Sequence, residues 1–195
     1  MSSYSVLLVL HSWSRWFVLV LGLVAVYRAY MGRSNRSPFV KADNGIGASF
    51  SGFMWLQVII GLGLYFGLSP YGLKAMKVAG AMKDANVRFF GMEHVAVMIL
   101  AAILVQVGRI AVKKAPTDLL KHKRAFAYFG IGLLLVVLMI PWGIWNPYRP
   151  LFRYYYGSIS PKTPFCRTAG RRFCARMKCL VNPAAVLSAG LNDGK

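Results

Sequence analysis

The sequence predicts an all-α integral membrane protein, a four-transmembrane-helix up-down bundle, and three observations lead there. Of the 195 residues, 57% are hydrophobic and only 15% are charged, whereas soluble domains carry about 25% charge. Mean hydropathy is +0.50. The apolar residues gather in four runs divided by polar, Pro- and Gly-containing stretches. Each run approaches the roughly twenty residues that cross a hydrocarbon core at about 1.5 Å per residue.

The first span is expected over about residues 6–27, ending in Arg28, Arg33, Arg36 and Lys41 with Pro38 and Asn44-Gly45 as breakers. Lacking a basic leader and interrupted by His11 and Arg15, this run reads as a retained helix rather than a cleaved signal peptide. The second span covers about residues 49–68 and holds Gln57 and a Gly63/Gly67 pair. That spacing suits either close helix approach or ordinary membrane-helix glycines. Between Leu73 and Arg88, Lys74, Lys77, Lys83 and Arg88 alternate with Met76, Val78 and Met82, a pattern for a short surface helix or a plain loop. The third span is expected over about residues 89–112 and the fourth over 125–145, closing on Pro141-Trp142 and Trp145 at a membrane interface. The polar stretch before the fourth span contains Asp118, Lys121, His122, Lys123 and Arg124, and there His122 is expected to be solvated.

Residues 1–150 thus form the bundle, and 151–195 a basic tail with Cys166, Cys174 and Cys179, flexible or adsorbed to the surface. The change of composition after Pro150 is abrupt enough that an altered reading frame would also produce it. The cysteines form no CxxC pair and have no neighbouring histidine, which speaks against zinc. A net charge of +19 would suggest nucleic acid in a soluble chain. Here the bases lie between and after apolar runs, so anionic lipid explains them and nucleic acid is excluded as a partner. The first and third connections carry ten of them against four in the middle one, which places those two connections in the cytoplasm; the basic tail argues the other way.

Ionisable residues inside spans are costly and mark function by default. Two groups stand out: His11-Ser12-Trp13-Ser14-Arg15 in the first run and Glu93-His94 in the third. In an up-down bundle these two helices run the same way. Each histidine lies about five residues inside its run, so both sit roughly 7–8 Å below one membrane face. Arg15 shares the His11 face one turn deeper. Facing imidazoles can be axial ligands of a haem iron, with Arg15, Lys74 or Lys77 against propionates and Glu93 bonding an imidazole or Arg15. Two other readings compete. One is a buried polar cluster of His11, Arg15, Glu93 and His94 that locks the helices together in a structural or proton-handling role. The other is a non-haem metal on His11, Glu93 and His94, made awkward because neighbours in sequence point about 100° apart on a helix. Small residues beyond the histidines (Gly22 and Ala25; Ala101, Ala102 and Gly108) allow a flat ligand or close packing.

The His11-Ser12-Trp13-Ser14-Arg15 opening, the Phe89-Phe90-Gly91-Met92-Glu93-His94 opening of the third span, Gly108-Arg109 at its end and Ile140-Pro141-Trp142 closing the fourth resemble a group of small bacterial inner-membrane proteins labelled cytochrome b or cytochrome b-like. The resemblance covers about residues 5–150 and implies one b-type haem on His11 and His94 and one-electron transfer in a respiratory chain. Quinol or a respiratory-complex partner would exchange the electron, in a homo- or hetero-oligomer. The alternative expectation is a non-catalytic accessory subunit of a larger complex whose polar cluster is structural. A proton or ion transporter ranks below both, because Glu93 is the one acidic residue inside a predicted span.

Overall fold

The computed structural model describes residues 3–69, 72–78, 80–140 and 142. Four of its helices are long and apolar enough to cross a membrane, and no strand occurs among the described residues. The tail expected over 151–195, and the last residues of the expected fourth span, lie outside the described residues.

The helices run further than the apolar stretches suggest. Helix α1 spans Ser3–Ser34 and α2 spans Lys41–Gly63, continued by a π-helical turn Leu64–Leu68. Short helices α3 (Leu73–Met76) and α4 (Ala85–Arg88) follow, then a second π turn Phe89–Glu93, α5 (His94–Lys113) and α6 (Asp118–Met139). The extra turns are basic ends whose chain caps them. Arg28 Nε donates to Asp43 Oδ1 at 2.6 Å, and Asp43 Oδ2 accepts from the Val40 amide at 3.0 Å, so one carboxylate joins α1 to the start of α2. Thr117 accepts from the Leu120 amide and opens α6 seven residues before the expected start. The stretch expected to be a polar connection is therefore the first turns of a helix.

Both ends beside the later site are set by proline. Ser69 (ψ 133°) and Ile140 (ψ 125°) leave the helical region directly before Pro70 and Pro141, as the residue preceding a proline does. Between residues 73 and 88 there is neither one surface helix nor a plain loop. Short helical turns pack on Ala75, Ala81 and Val87, with Asp84 capping α4 through the amides of Asn86 and Val87.

Helix α1 packs against α2 and α6, and α5 packs against the same two, so α1 and α5 stand across a diagonal of the bundle. The small residues form close helix contacts. A Cβ on Gly108 would lie 2.3 Å from Tyr128 Cβ, one on Gly132 2.5 Å from Val105 Cγ2, and one on Gly22 2.8 Å from Leu133 Cδ1. Of the two openings the sequence left for this stripe, it is packing that fills it. The Gly63/Gly67 pair makes no close approach, since neither position has an atom within 4 Å of an added Cβ. Inside the bundle, Ser51 Oγ donates to Gln106 Oε1 at 2.6 Å and links α2 to α5. Outward-facing Phe17, Leu23, Ile59, Leu100, Leu134 and Leu138 give the bundle an apolar exterior suited to a lipid bilayer.

Candidate functional site: a histidine pair across the bundle axis

Because α1 and α5 are diagonal, side chains from them meet only by crossing the centre. His11 and His94 do so: their ring centroids are 6.5 Å apart with the planes at 72°. The other two helices form the walls behind them, and a cavity of about 180 Å³ opens around the pair.

Helix α2 backs His11. Gln57 Nε2 donates to the His11 carbonyl at 2.9 Å, and one turn later a Cβ on Gly61 would stand 3.2 Å from His11 Cε1. Positions 57 and 61 share a face, so that face holds the backbone of residue 11 with one side chain and makes room for its ring by lacking the other. His11 Nδ1 and Gln57 Oε1 are buried without a hydrogen-bond partner. Ser14 turns its hydroxyl back onto the Leu10 carbonyl at 2.6 Å, which leaves the His11 ring the polar group of this turn that enters the cavity with Ser12 and Arg15.

The end of α6 backs His94. Its Nδ1 lies 3.2 Å from the Met139 carbonyl, one of the carbonyls that a helix C-terminus leaves without an intrahelical donor. A carbonyl only accepts, so Nδ1 carries the proton and Nε2 keeps its lone pair. Trp142 Nε1 donates to the Val137 carbonyl at 2.8 Å and secures the same helix end. Phe89 and Phe90 stand 5.9 and 6.0 Å from the His94 ring. The π turn that carries them adds a residue to the helical turn, a device common beside functional sites.

Arg15 lines the cavity, its guanidinium carbon 5.6 Å from the Trp16 ring centre. Glu93 does not line it. The expected bond from Glu93 to an imidazole or to Arg15 is replaced by an ion pair with Arg88 Nε at 3.0 Å, both side chains nearly half exposed. The π turn ends at Glu93, and a residue adjacent to His94 faces about 100° away. With Glu93 outside, the three-ligand metal site loses its carboxylate, and no group of three His, Cys, Asp or Glu suited to a metal occurs among the described residues.

Sequence reading missed Gln57 and Gly61 as partners of His11, and Tyr4 and Tyr65, which line the cavity. Gln57 carried a signal, being an amide inside an apolar run; the Met139 carbonyl carried none. His122 was misjudged: it is 2% exposed, not solvated, with its ring 5.0 Å from Phe39. The reason is the early start of α6, which turns residue 122 inward against α1.

No protein-family model, no curated protein and no solved structure matches the chain.

Proposed function

We propose that the chain binds one b-type haem between α1 and α5, held by His11 and His94, and serves as a one-electron carrier in a respiratory chain of a bacterial inner membrane. The observation that carries this reading is the separation of the rings. His11 and His94 come from diagonal helices, yet their ring centroids stand 6.5 Å apart and both line one cavity, so a single group between them could be held by both. Three further features support the fit. The Met139 carbonyl leaves His94 Nε2 as an acceptor, the pattern of metal-bound histidines. His11 keeps a buried, unpartnered ring nitrogen. The cavity walls are mainly apolar, with Val18, Met54, Val58, Met98, Ile99 and Val136 among them.

A haem bound there supplies a one-electron iron couple. The remaining work falls to the chain. Met139 and Gln57 fix the two histidines from α6 and α2. The apolar walls exclude water and lower the local dielectric. The Arg15 cation opposes a gain of positive charge and so favours the reduced state. Arg15, which lines the cavity, would be the cation for a propionate, whereas Lys74 spends its ammonium on the Gly67 carbonyl at 3.3 Å and is not part of the cavity wall. One histidine pair holds one haem, so the described bundle does not relay electrons across the bilayer by itself. A quinol or a membrane dehydrogenase would be the exchange partner.

The competing reading is an accessory subunit in which His11, Arg15 and His94 merely join helices; it is favoured by the edge contact of the two rings. Titrating purified apoprotein with haemin separates them. A break at one haem per chain supports the cytochrome, and binding that never saturates at that ratio supports the accessory subunit.

A further inference from the structure

The third histidine lies at the other end of the bundle, away from the His11–His94 pair. His122 is 2% exposed, and neither ring nitrogen has a hydrogen-bond partner. A neutral imidazole offers one donor and one acceptor, and leaving them unmet inside a protein is costly enough that such groups are nearly always satisfied by protein or water. The ring is also held tightly: a Cβ on Gly32 would lie 2.2 to 2.5 Å from three of its atoms, so α1 is glycine there to let the imidazole lie against its backbone.

Beside the ring is a small void of about 10 Å³, lined by His122, Arg28 and Asp43 together with Ala25, Ala29, Phe39, Ile46, Ala125 and Phe129. That is about the space one water occupies, and a buried water needs two to four polar partners. The Asp43 side chain is 8% exposed. It spends one oxygen on Arg28 and the other on the Val40 amide, and each carboxylate oxygen has a further lone pair.

We propose that this void is a binding site for one ordered water, which accepts from a ring N–H of His122 on α6 and donates to the Asp43 carboxylate of α2, already paired with Arg28 of α1. The site is a polar clasp joining three helices at the basic end of the bundle. It also connects a buried imidazole to the exposed side of the Arg28–Asp43 pair, Arg28 being 41% exposed. It stands independently of the haem, on the face opposite the His11–His94 pair.

The test is nitrogen NMR of full-length protein labelled with 15N-histidine, in detergent, with the His122 signals assigned by their loss in His122→Leu. The expected result is a cross-peak between a His122 ring N–H and a slowly exchanging water. Thermal unfolding of His122→Leu adds a second readout. With the water, the variant loses a bonded network and melts lower by about 3–6 °C. Without it, replacing two unsatisfied nitrogens by an apolar chain of similar volume raises the melting temperature. Absence of the cross-peak in the wild type overturns the proposal whether or not the variant folds, and so does a higher melting temperature in the variant.

Discussion

Substituting Gly61 tests whether this glycine seats the His11 ring while Gly63, two residues on, does not. An added Cβ at Gly61 lies 3.2 Å from His11 Cε1, whereas at Gly63, two residues on, nothing lies within 4 Å. Carbon atoms settle at about 3.5–4.0 Å, so Gly61→Ala asks the His11 ring to move by about 0.3–0.8 Å. The same change improves helix propensity by about 0.5–1 kcal/mol at both positions, and Gly63→Ala serves as the reference for that gain. Metal ligands tolerate displacements of about 0.5 Å. If His11 holds the proposed haem, Gly61→Ala should lower its affinity by up to about tenfold, and Gly61→Leu, which fills the ring's own space, by about a hundredfold or more. The assay is haemin titration of purified apoprotein beside thermal unfolding, with Gly63→Leu as control. Gly61→Leu should unfold within a few degrees of Gly63→Leu yet bind haem far more weakly. Equal haem binding by the two leucine variants would refute the claim that α2 seats His11.

Other substitutions test separate contacts. Glu93→Gln should leave haem content and the visible spectrum unchanged and shift stability by less than about 1 kcal/mol, because its ion pair with Arg88 is surface-exposed; loss of haem would return Glu93 to the site. Arg15→Gln should lower the midpoint potential by something on the order of tens of millivolts in a redox titration, since removing a nearby cation favours the oxidised form. Gly32→Val drives a side chain into the His122 ring and should cost about 1–3 kcal/mol in denaturant unfolding, the usual range for overpacking. Trp142→Phe deletes the bond to the Val137 carbonyl and should cost about 1 kcal/mol in the same assay.

The number of spans and the level of the two histidines were legible because hydropathy and helix rise are local properties. His11 and His94 can be counted from the starts of their runs, and Arg15 follows from a four-residue spacing. Helix ends were less legible. The basic residues from Asp118 to Arg124 read as a connection by hydropathy, yet Thr117 caps them into α6, and their long stems let charged heads reach the interface. The partners of the histidines were least legible, because they depend on which helices are neighbours. That α2 and α6 back the pair follows from the diagonal placement of α1 and α5, and only then do Gly61, Gln57 and the Met139 carbonyl acquire meaning. Glu93 was grouped with the histidines although adjacent helical residues point about 100° apart; the structure pairs it instead with Arg88, a partner that depends on how the short helix before it is placed.

The reduced-minus-oxidised visible spectrum of detergent-purified protein, with haem quantified per chain in the wild type, His11→Ala and His94→Ala, tests the central reading most directly. A sharp α-band at one haem per chain, lost in both variants while each still unfolds cooperatively, is the expected result. A flat spectrum from haem-replete cells, or a band that survives either substitution unchanged, would contradict it.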